Sequence, residues 1–530
     1  MPQMSQSYVH RWKTFLKFCL STVAVHFLYY KYFSDEGNLY SLEESNRISQ
    51  NVEQFKENWC RIRQARVDLD SILRPCFYNI SWNGLSPKRE LQTDAGKSVI
   101  SSFEIRSAGQ FSRFSIQTKT RNGKLKRIGG DSWRVLLHGP ATVSPTMFDH
   151  GNGTYEFLFL AMDPGFYKLD ITLDYSLCDG YRDPPKNWFI VGNSQGKMQK
   201  DGTLGVNRAK DDYLLQVFQN GKLIMINIPL PEDRGAFLIN QLPDRPCLSA
   251  KFNLSCGMDC KFMWDGFGRW LGTKWKPYLT GVKRHRKPMK SSITAPKLEK
   301  LWIYGDSQAE RLHLSIKDGP LCKEIFKSCN LSKMWVYPYS GQFPKWDDED
   351  FDESIILDSL RSVVERLDMS QNNVLILNLG LHYMESIKLQ DYRILLLKVI
   401  DLLNERNKDT GELKHKARVI WKTSTSISKE KDTGSQLTSD RRRFLALPRV
   451  ALYNSFATSL MCQAGLEVLD VYPFTRSYPG GTGGPEVAWY KERDIVHFKF
   501  RVMKPVEQFL EDYFLGKIAF PLNFENYVFS

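Results

Sequence analysis

Lys300-Leu-Trp-Ile-Tyr304-Gly305-Asp306-Ser307-Gln-Ala-Glu310-Arg311-Leu-His-Leu-Ser-Ile-Lys317 is the stretch on which the fold turns. Lys300 to Tyr304 is short, apolar and aromatic, which predicts a buried strand. Gly305 and Asp306 predict a tight turn, and Gln308 to Lys317 carries Leu312, Leu314 and Ile316 as a helix would. A strand, a glycine turn, a serine and then a helix expose a hydroxyl. They also place its own N–H at a helix N-terminus, where an oxyanion is stabilised. Gly-Asp-Ser by itself is weak, because the same residues build ordinary turns.

A partner strengthens it. Asp494-Ile-Val-His497 lies near the C-terminus. A spacing of three puts carboxylate and imidazole on one side of a single turn, so Asp494 can orient His497. His497 can then take the proton of Ser307 as general base. A surface ion pair is the alternative for those two residues. Oxyanion support is expected from the ends of two further strands. Val374-Leu-Ile-Leu-Asn378-Leu-Gly380 runs into His382, and Met334-Trp-Val-Tyr337 runs into Ser340-Gly341. A backbone N–H of Gly341 and a side chain of Asn378 or His382 can face a tetrahedral oxygen, with Gly380 at the turn. His382 serves equally well as a loop cap. Val419 to Ser424 and Leu466 to Asp470 continue the strand pattern, and Ser354 to Leu367 and Tyr392 to Leu403 continue the helices. The expectation is a mostly parallel α/β sheet with helices on both faces.

Ahead of this region the hydrophobic period changes to two. Phe114 to Thr118, Trp133 to Leu137, Thr154 to Phe159 and Tyr167 to Leu173 alternate as strands. Asn122-Gly, Gly129-Gly-Asp, Gly151-Asn-Gly and Pro164-Gly punctuate them, which predicts an antiparallel sandwich from about Ser98 to Tyr175. Asn51 to Leu73 has Phe55, Trp59, Ile62, Val67 and Leu69 at roughly helical spacing within a polar stem.

The 530 residues exceed what one hydrophobic core usually supports, so two or three domains are expected. Hydrophobic residues at 42% and charged residues at 25% exclude a disordered or collagenous chain. A mean hydropathy of −0.39 excludes a polytopic membrane protein. A single anchor is compatible with it. Phe15 to Tyr32 is mostly apolar, is preceded by Arg11, Lys13 and Lys17, and lacks a small-residue cleavage site. An uncleaved signal anchor with a cytosolic N-terminus suits it better than a cleaved signal or a buried helix. Four sequons follow, at Asn79, Asn152, Asn253 and Asn330, and nine cysteines lie on the same side. In an oxidising lumen those cysteines mostly pair. Cys256 and Cys260 have a spacing zinc can use, but no second pair completes a ligand set, so no metal site is assigned and disulfides are favoured. The net charge of +14 is densest at Lys274 to Lys300, with nine Lys and Arg against Glu299. A solvated loop is the simpler account, and attraction to an anionic substrate or membrane is the other. A lumenal location removes nucleic acid from the partners.

Gly305-Asp-Ser307, Gly380-x-His382 and Asp494-x-x-His497 resemble the PC-esterase branch of the SGNH-hydrolase superfamily. The run Gly129-Gly-Asp, Gly139-Pro, Asp149-His-Gly-Asn-Gly-Thr-Tyr and Pro164-Gly-Phe-Tyr resembles a filamin-type immunoglobulin repeat. Their succession is similar to the NXPE family, named for neurexophilin and PC-esterase domains. The resemblance spans roughly 98–530 and implies an α/β SGNH-hydrolase-like domain preceded by an all-β filamin/immunoglobulin-like sandwich, behind a single N-terminal transmembrane anchor. The corresponding segments are tail and anchor 1–33, stem 34–97, sandwich 98–176, linker 177–295 and catalytic domain 296–530. The implied activity is transfer of an acetyl group to a glycan such as sialic acid in the Golgi lumen. Ser307, Asp494 and His497 would be its triad, acetyl-CoA its donor, and no cofactor would be tightly bound. Two other outcomes stay open: a glycan acetylesterase, and a non-catalytic protein whose sandwich binds a protein receptor. A secreted form is the alternative location. Two positions depart from the branch. Glu310 stands where Arg is usual, with Arg311 one place later, and Phe498 and Lys499 replace the prolines after the histidine.

Overall fold

The computed structural model describes residues 50–51, 53–82, 88–185, 188, 204, 212–231, 260–278, 282–283, 298–337, 351–431, 442–483 and 494–519. Residues 59–530 form one compact unit, separate from 1–58. Within it the helical run predicted to reach Leu73 stops at residue 64. A turn follows, and Asp68 caps the short helix α1 (Leu69–Leu73) by accepting from Ser71 N at 2.9 Å.

Two antiparallel sheets build the sandwich. The first orders β1 (Val99–Glu104), β2 (Phe111–Gln117), β6 (Thr154–Leu160) and β5 (Thr146–Asp149) side by side. The second contains β3 (Ser132–His138), β4 (Thr142–Val143) and β7 (Gly165–Tyr175). Alternate residues of both sheets fill the space between them, including Phe114, Ile116 and Phe157 against Val135, Leu169 and Ile171. Phe114 and Phe157 stack with ring centroids 4.9 Å apart. That alternation is the period of two read from the sequence, since successive strand side chains point to opposite faces.

A six-stranded parallel sheet follows the order β10 (Lys261–Trp264), β18 (Glu467–Leu469), β17 (Arg418–Lys422), β16 (Val374–Leu377), β14 (Leu298–Gly305) and β15 (Phe326–Lys333). Both its faces are covered, which explains the near-continuous apolar strands. Leu301, Ile303, Val374, Ile376 and Ile420 face α2 (Ser307–Ile316) and α8 (Phe500–Phe514). Trp302, Tyr304, Leu375, Leu377, Val419 and Trp421 lie in the other core, with α3 (Glu353–Val364), α4 (Leu381–Ser386), α5 (Leu389–Asn404) and α6 (Leu447–Gln463).

The expected fold class is corrected here. An α/β hydrolase-like domain was expected to follow a finished sandwich and a linker. Instead the second antiparallel sheet continues past residue 176, recruiting β8 (Gln216–Val217), β9 (Met225–Ile228), β11 (Gly268–Leu271) and β12 (Lys274–Pro277). The segment 261–277 enters both sheets: β10 pairs in parallel with β18, and β11 turns back to pair with β4 and β12. The physical reason is that open sheet edges must be paired or covered, and distant segments of the chain do so. The result is a pair of antiparallel sheets and a parallel sheet that share segments. Among the described residues no helix is long and apolar enough to cross a membrane. Residues 15–32, where the anchor was placed, lie outside the described residues.

Disulfides Cys76–Cys178, Cys260–Cys462 and Cys322–Cys329 link the compact unit, and Cys60 is also disulfide-bonded. Cys260 is therefore committed to a disulfide. Cys256 lies outside the described residues. The short strand β13 (Val282–Lys283) pairs with β19 (Ile518–Ala519), and residues 279–281 and 284–297 of the basic run are not described.

Candidate active site

The site begins where β14 ends. Glycine is needed at 305 because a Cβ there would lie 2.8 Å from the carbonyl oxygen of Asn378 and 2.9 Å from Ala309 Cβ. That close approach lets β14 and β16 run side by side and then release the chain at Asp306. Asp306, buried, is the N-cap of α2: one carboxylate oxygen accepts from Gln308 N at 2.9 Å. Its other oxygen accepts from Leu381 N at 3.2 Å, so the starts of α2 and α4 are held on one side chain. Ser307 thus stands at the first position of a ten-residue helix, where the positive end of the dipole favours negative charge.

His497 reaches this serine from the far end of the chain. Its Nε2 is 2.8 Å from Ser307 Oγ, and its Nδ1 is 2.7 Å from Asp494 Oδ2. Both side chains are nearly buried, at 10% exposure for the imidazole and 7% for the carboxylate. Residues 494–497 form a bend instead of a helical turn. Asp494 Oδ1 closes that bend by accepting from Val496 N at 2.8 Å and His497 N at 3.0 Å. Burial pushes the Asp494 carboxyl up, but the hydrogen bond and charge of His497 and the two N–H groups outweigh it. They hold the group below the usual carboxylate range. The loop itself is tied down, because Ile495 O accepts from Ser428 N at 3.0 Å and His497 O accepts from Gly483 N at 3.1 Å.

The expected oxyanion residues are placed differently. Gly341 lies outside the described residues. Asn378 uses its amide nitrogen within the sheet, donating to Lys422 O at 2.8 Å and Ser424 Oγ at 3.4 Å. Gly380 is the N-cap of α4, and a Cβ there would come within 2.0 Å of Ser424 Oγ. His382 is buried and stacks on Trp335, centroids 4.9 Å apart and planes 8° from parallel. Glu310 pairs with Lys333 at 2.8 Å, and the Arg311 guanidinium sits 5.5 Å from the Phe500 ring. Of the sequons, Asn79 and Asn152 are exposed, Asn330 is half-buried in edge strand β15, and Asn253 is not described.

Sequence reasoning missed three residues that shape the site. Gln308 clasps Thr425, donating to its hydroxyl and accepting from its N–H at 3.0 Å. Asn454 on α6 binds both backbone groups of Ser424, at 2.9 Å each. Lys422 is wholly buried at the end of β17. Burial pushes its ammonium down to about 8, against the partly compensating charge of Asp306. A charged residue inside the apolar run Val419-Ile-Trp-Lys422 was the available signal. Among the described residues no cluster of His, Cys, Asp and Glu could hold a metal ion.

No family model matches the chain. Among solved structures it is similar to the Lin-41 filamin domain, at 20% identity over 15% of this chain and 80% of that one, with a TM-score of 0.14. It is also similar to invasin, a bacterial integrin-binding protein, at 17% identity over 16% of this chain and 17% of that one, with a TM-score of 0.14. A third solved chain is covered over its full length by 42% of this chain, at 9% identity and a TM-score of 0.27. These likenesses concern fold alone.

Proposed function

We propose that this protein is a serine acyltransferase that moves an acetyl group onto a glycan hydroxyl, as its resemblance to the NXPE family implies. The observation that carries the reading is the continuous relay from Ser307 Oγ through the His497 imidazole to the Asp494 carboxylate. Ser307 attacks the carbonyl carbon of the acetyl donor while His497 Nε2 takes its proton. Asp494 holds the Nδ1 proton in place and balances the imidazolium. The oxyanion forms beside the N-terminus of α2, where the Ser307 N–H and the helix dipole stabilise it. His497 protonates the leaving group, a thiolate if the donor is acetyl-CoA, and acetyl-serine remains. The same imidazole then deprotonates a sugar hydroxyl, which attacks the acetyl-serine and regenerates Ser307. The disulfides support work in an oxidising, secretory compartment.

The test uses the full chain and its Ser307→Ala variant, with circular dichroism as the folding control. Labelled acetyl-CoA is supplied with sialylated glycoprotein, and O-acetylated glycan is measured alongside loss of pre-existing acetyl groups. Donor-dependent acetylation that disappears in the variant supports the proposal. Serine-dependent deacetylation would replace it with an esterase. Equal null results from both folded proteins would leave the protein a binding module.

A further inference from the structure

A cavity of about 770 Å³ lies apart from the triad, and none of Ser307, Asp494 and His497 lines it. Its walls come from both halves of the compact unit. Phe111, Trp133 and Phe148 belong to the sandwich, Ala451 and Ser455 to α6, and Arg476 to α7 (Tyr472–Arg476). Its lining mixes apolar side chains with charged and polar ones, and cavities of this size that join an apolar surface to convergent polar groups are characteristic of small-molecule sites.

Several of the charged residues around it pair with an opposite charge, whereas Asp149 accepts from Gly130 N at 2.7 Å and Gly151 N at 2.8 Å, and Arg74 is exposed. Asp174 is held by Arg134 at 3.1 Å, Asp470 by Arg66 at 2.7 Å, and Arg61 by Glu156 at 2.8 Å. Arg476 has no hydrogen bond or ion pair among the described residues. Burial, with some help from Arg134, lowers the proton affinity of its guanidinium, and Tyr472 and Asp174 only partly offset this. Arg476 is half-buried, and a cation partly withdrawn from water is costly unless a counter-charge accompanies it. Further donors in the wall lack partners among the described residues: the buried Ser455 hydroxyl, Trp133 Nε1, and Nε and Nη2 of Arg66. Unmatched donors of this kind ask for an acceptor-rich group, while Phe111, Phe148 and Ala451 ask for an apolar body.

We infer that this cavity is a second binding site, for an amphipathic ligand with one anionic head, carboxylate or phosphate, on an apolar body. The head pairs with Arg476, and the chain lies along the sandwich wall. The site does not depend on the acyl-transfer reading, because it shares no residue with the triad.

Titration calorimetry on the full chain tests it, with dodecanoate, dodecyl phosphate, dodecanol and N-acetylneuraminic acid as probes below their aggregation concentrations. One or both anionic amphiphiles should bind, with dodecanol weaker by at least about tenfold. The stronger anion identifies the head. Arg476→Gln should weaken the anions by a similar factor and leave dodecanol unchanged, and Ser307→Ala should bind as the wild type does. Ala451→Trp, which fills the cavity without touching a charge, should abolish binding of all the amphiphiles and so provides a test if Arg476→Gln does not fold. Equal affinity for dodecanol and the anions, no effect of Arg476→Gln in a folded protein, or preference for the acidic sugar would overturn the inference.

Discussion

His497 Nε2 lies 2.8 Å from Ser307 Oγ although 190 residues separate them in the chain. The serine is presented by a strand-to-helix turn and the histidine by a bend. The two meet because Ser428 and Gly483 hold the histidine loop against the ends of the parallel strands. The contact is thus a property of the loops as much as of the two residues.

Asp494→Asn keeps the size of the side chain but removes the charge that selects the imidazole tautomer. We expect turnover to fall by about 10³–10⁴ with little change in fold. Stability gives a second readout. The folded carboxyl titrates below its unfolded value, so its contribution is present above the unfolded value and is lost as pH falls through the folded one. Urea unfolding of wild type and variant at pH 7 and at about pH 3 should therefore show a difference that shrinks in acid. An unchanged difference would count against the buried pairing.

Gly305→Ala places a methyl group 2.8 Å from the Asn378 carbonyl, which is backbone of the adjacent strand and has little room to yield. A loss of roughly 1–3 kcal/mol is expected in denaturant unfolding, together with reduced reactivity of Ser307 toward a fluorophosphonate probe. Unchanged stability and labelling would show that the turn relaxes freely.

Lys422→Met removes an ammonium that burial has pushed down to about 8. In the wild type this group should make stability rise between about pH 8 and the unfolded lysine value, because the unfolded chain holds a proton there that the folded one has released. The rise attributable to it is roughly 3 kcal/mol at most. The variant should lack that increment in paired unfolding curves at pH 8 and pH 10. Parallel curves would mean that Lys422 is solvated.

The disulfide Cys260–Cys462 ties edge strand β10 to the end of α6 across 202 residues. Replacing both cysteines by serine should cost about 2–5 kcal/mol, since the unfolded chain regains the freedom of a long loop. The guanidinium midpoint is the measurement. An unchanged midpoint would indicate that sheet pairing alone holds β10.

Much of the site was legible because it is local. Lys300 to Lys317 carries its strand, glycine turn and helix in its own pattern, and Asp494 and His497 are only three residues apart. Asn378, His382 and Lys422 were harder to interpret. Their neighbours in sequence are mostly apolar, whereas their partners are Ser424, Trp335 and the charge of Asp306, contributed by other segments. The cysteine pairings were equally hidden, because spacing does not determine connectivity.

By itself the sequence determined the alternation of the sandwich strands, the apolar parallel strands and the residues able to form a nucleophile and base. Those follow from local periodicity and side-chain chemistry. Only the tertiary structure decided that segment 261–277 completes two sheets at once, and that Arg476, unpaired among the described residues, lines a cavity between sandwich and helices. Edge pairing and burial depend on which distant surfaces meet, and no local pattern records that.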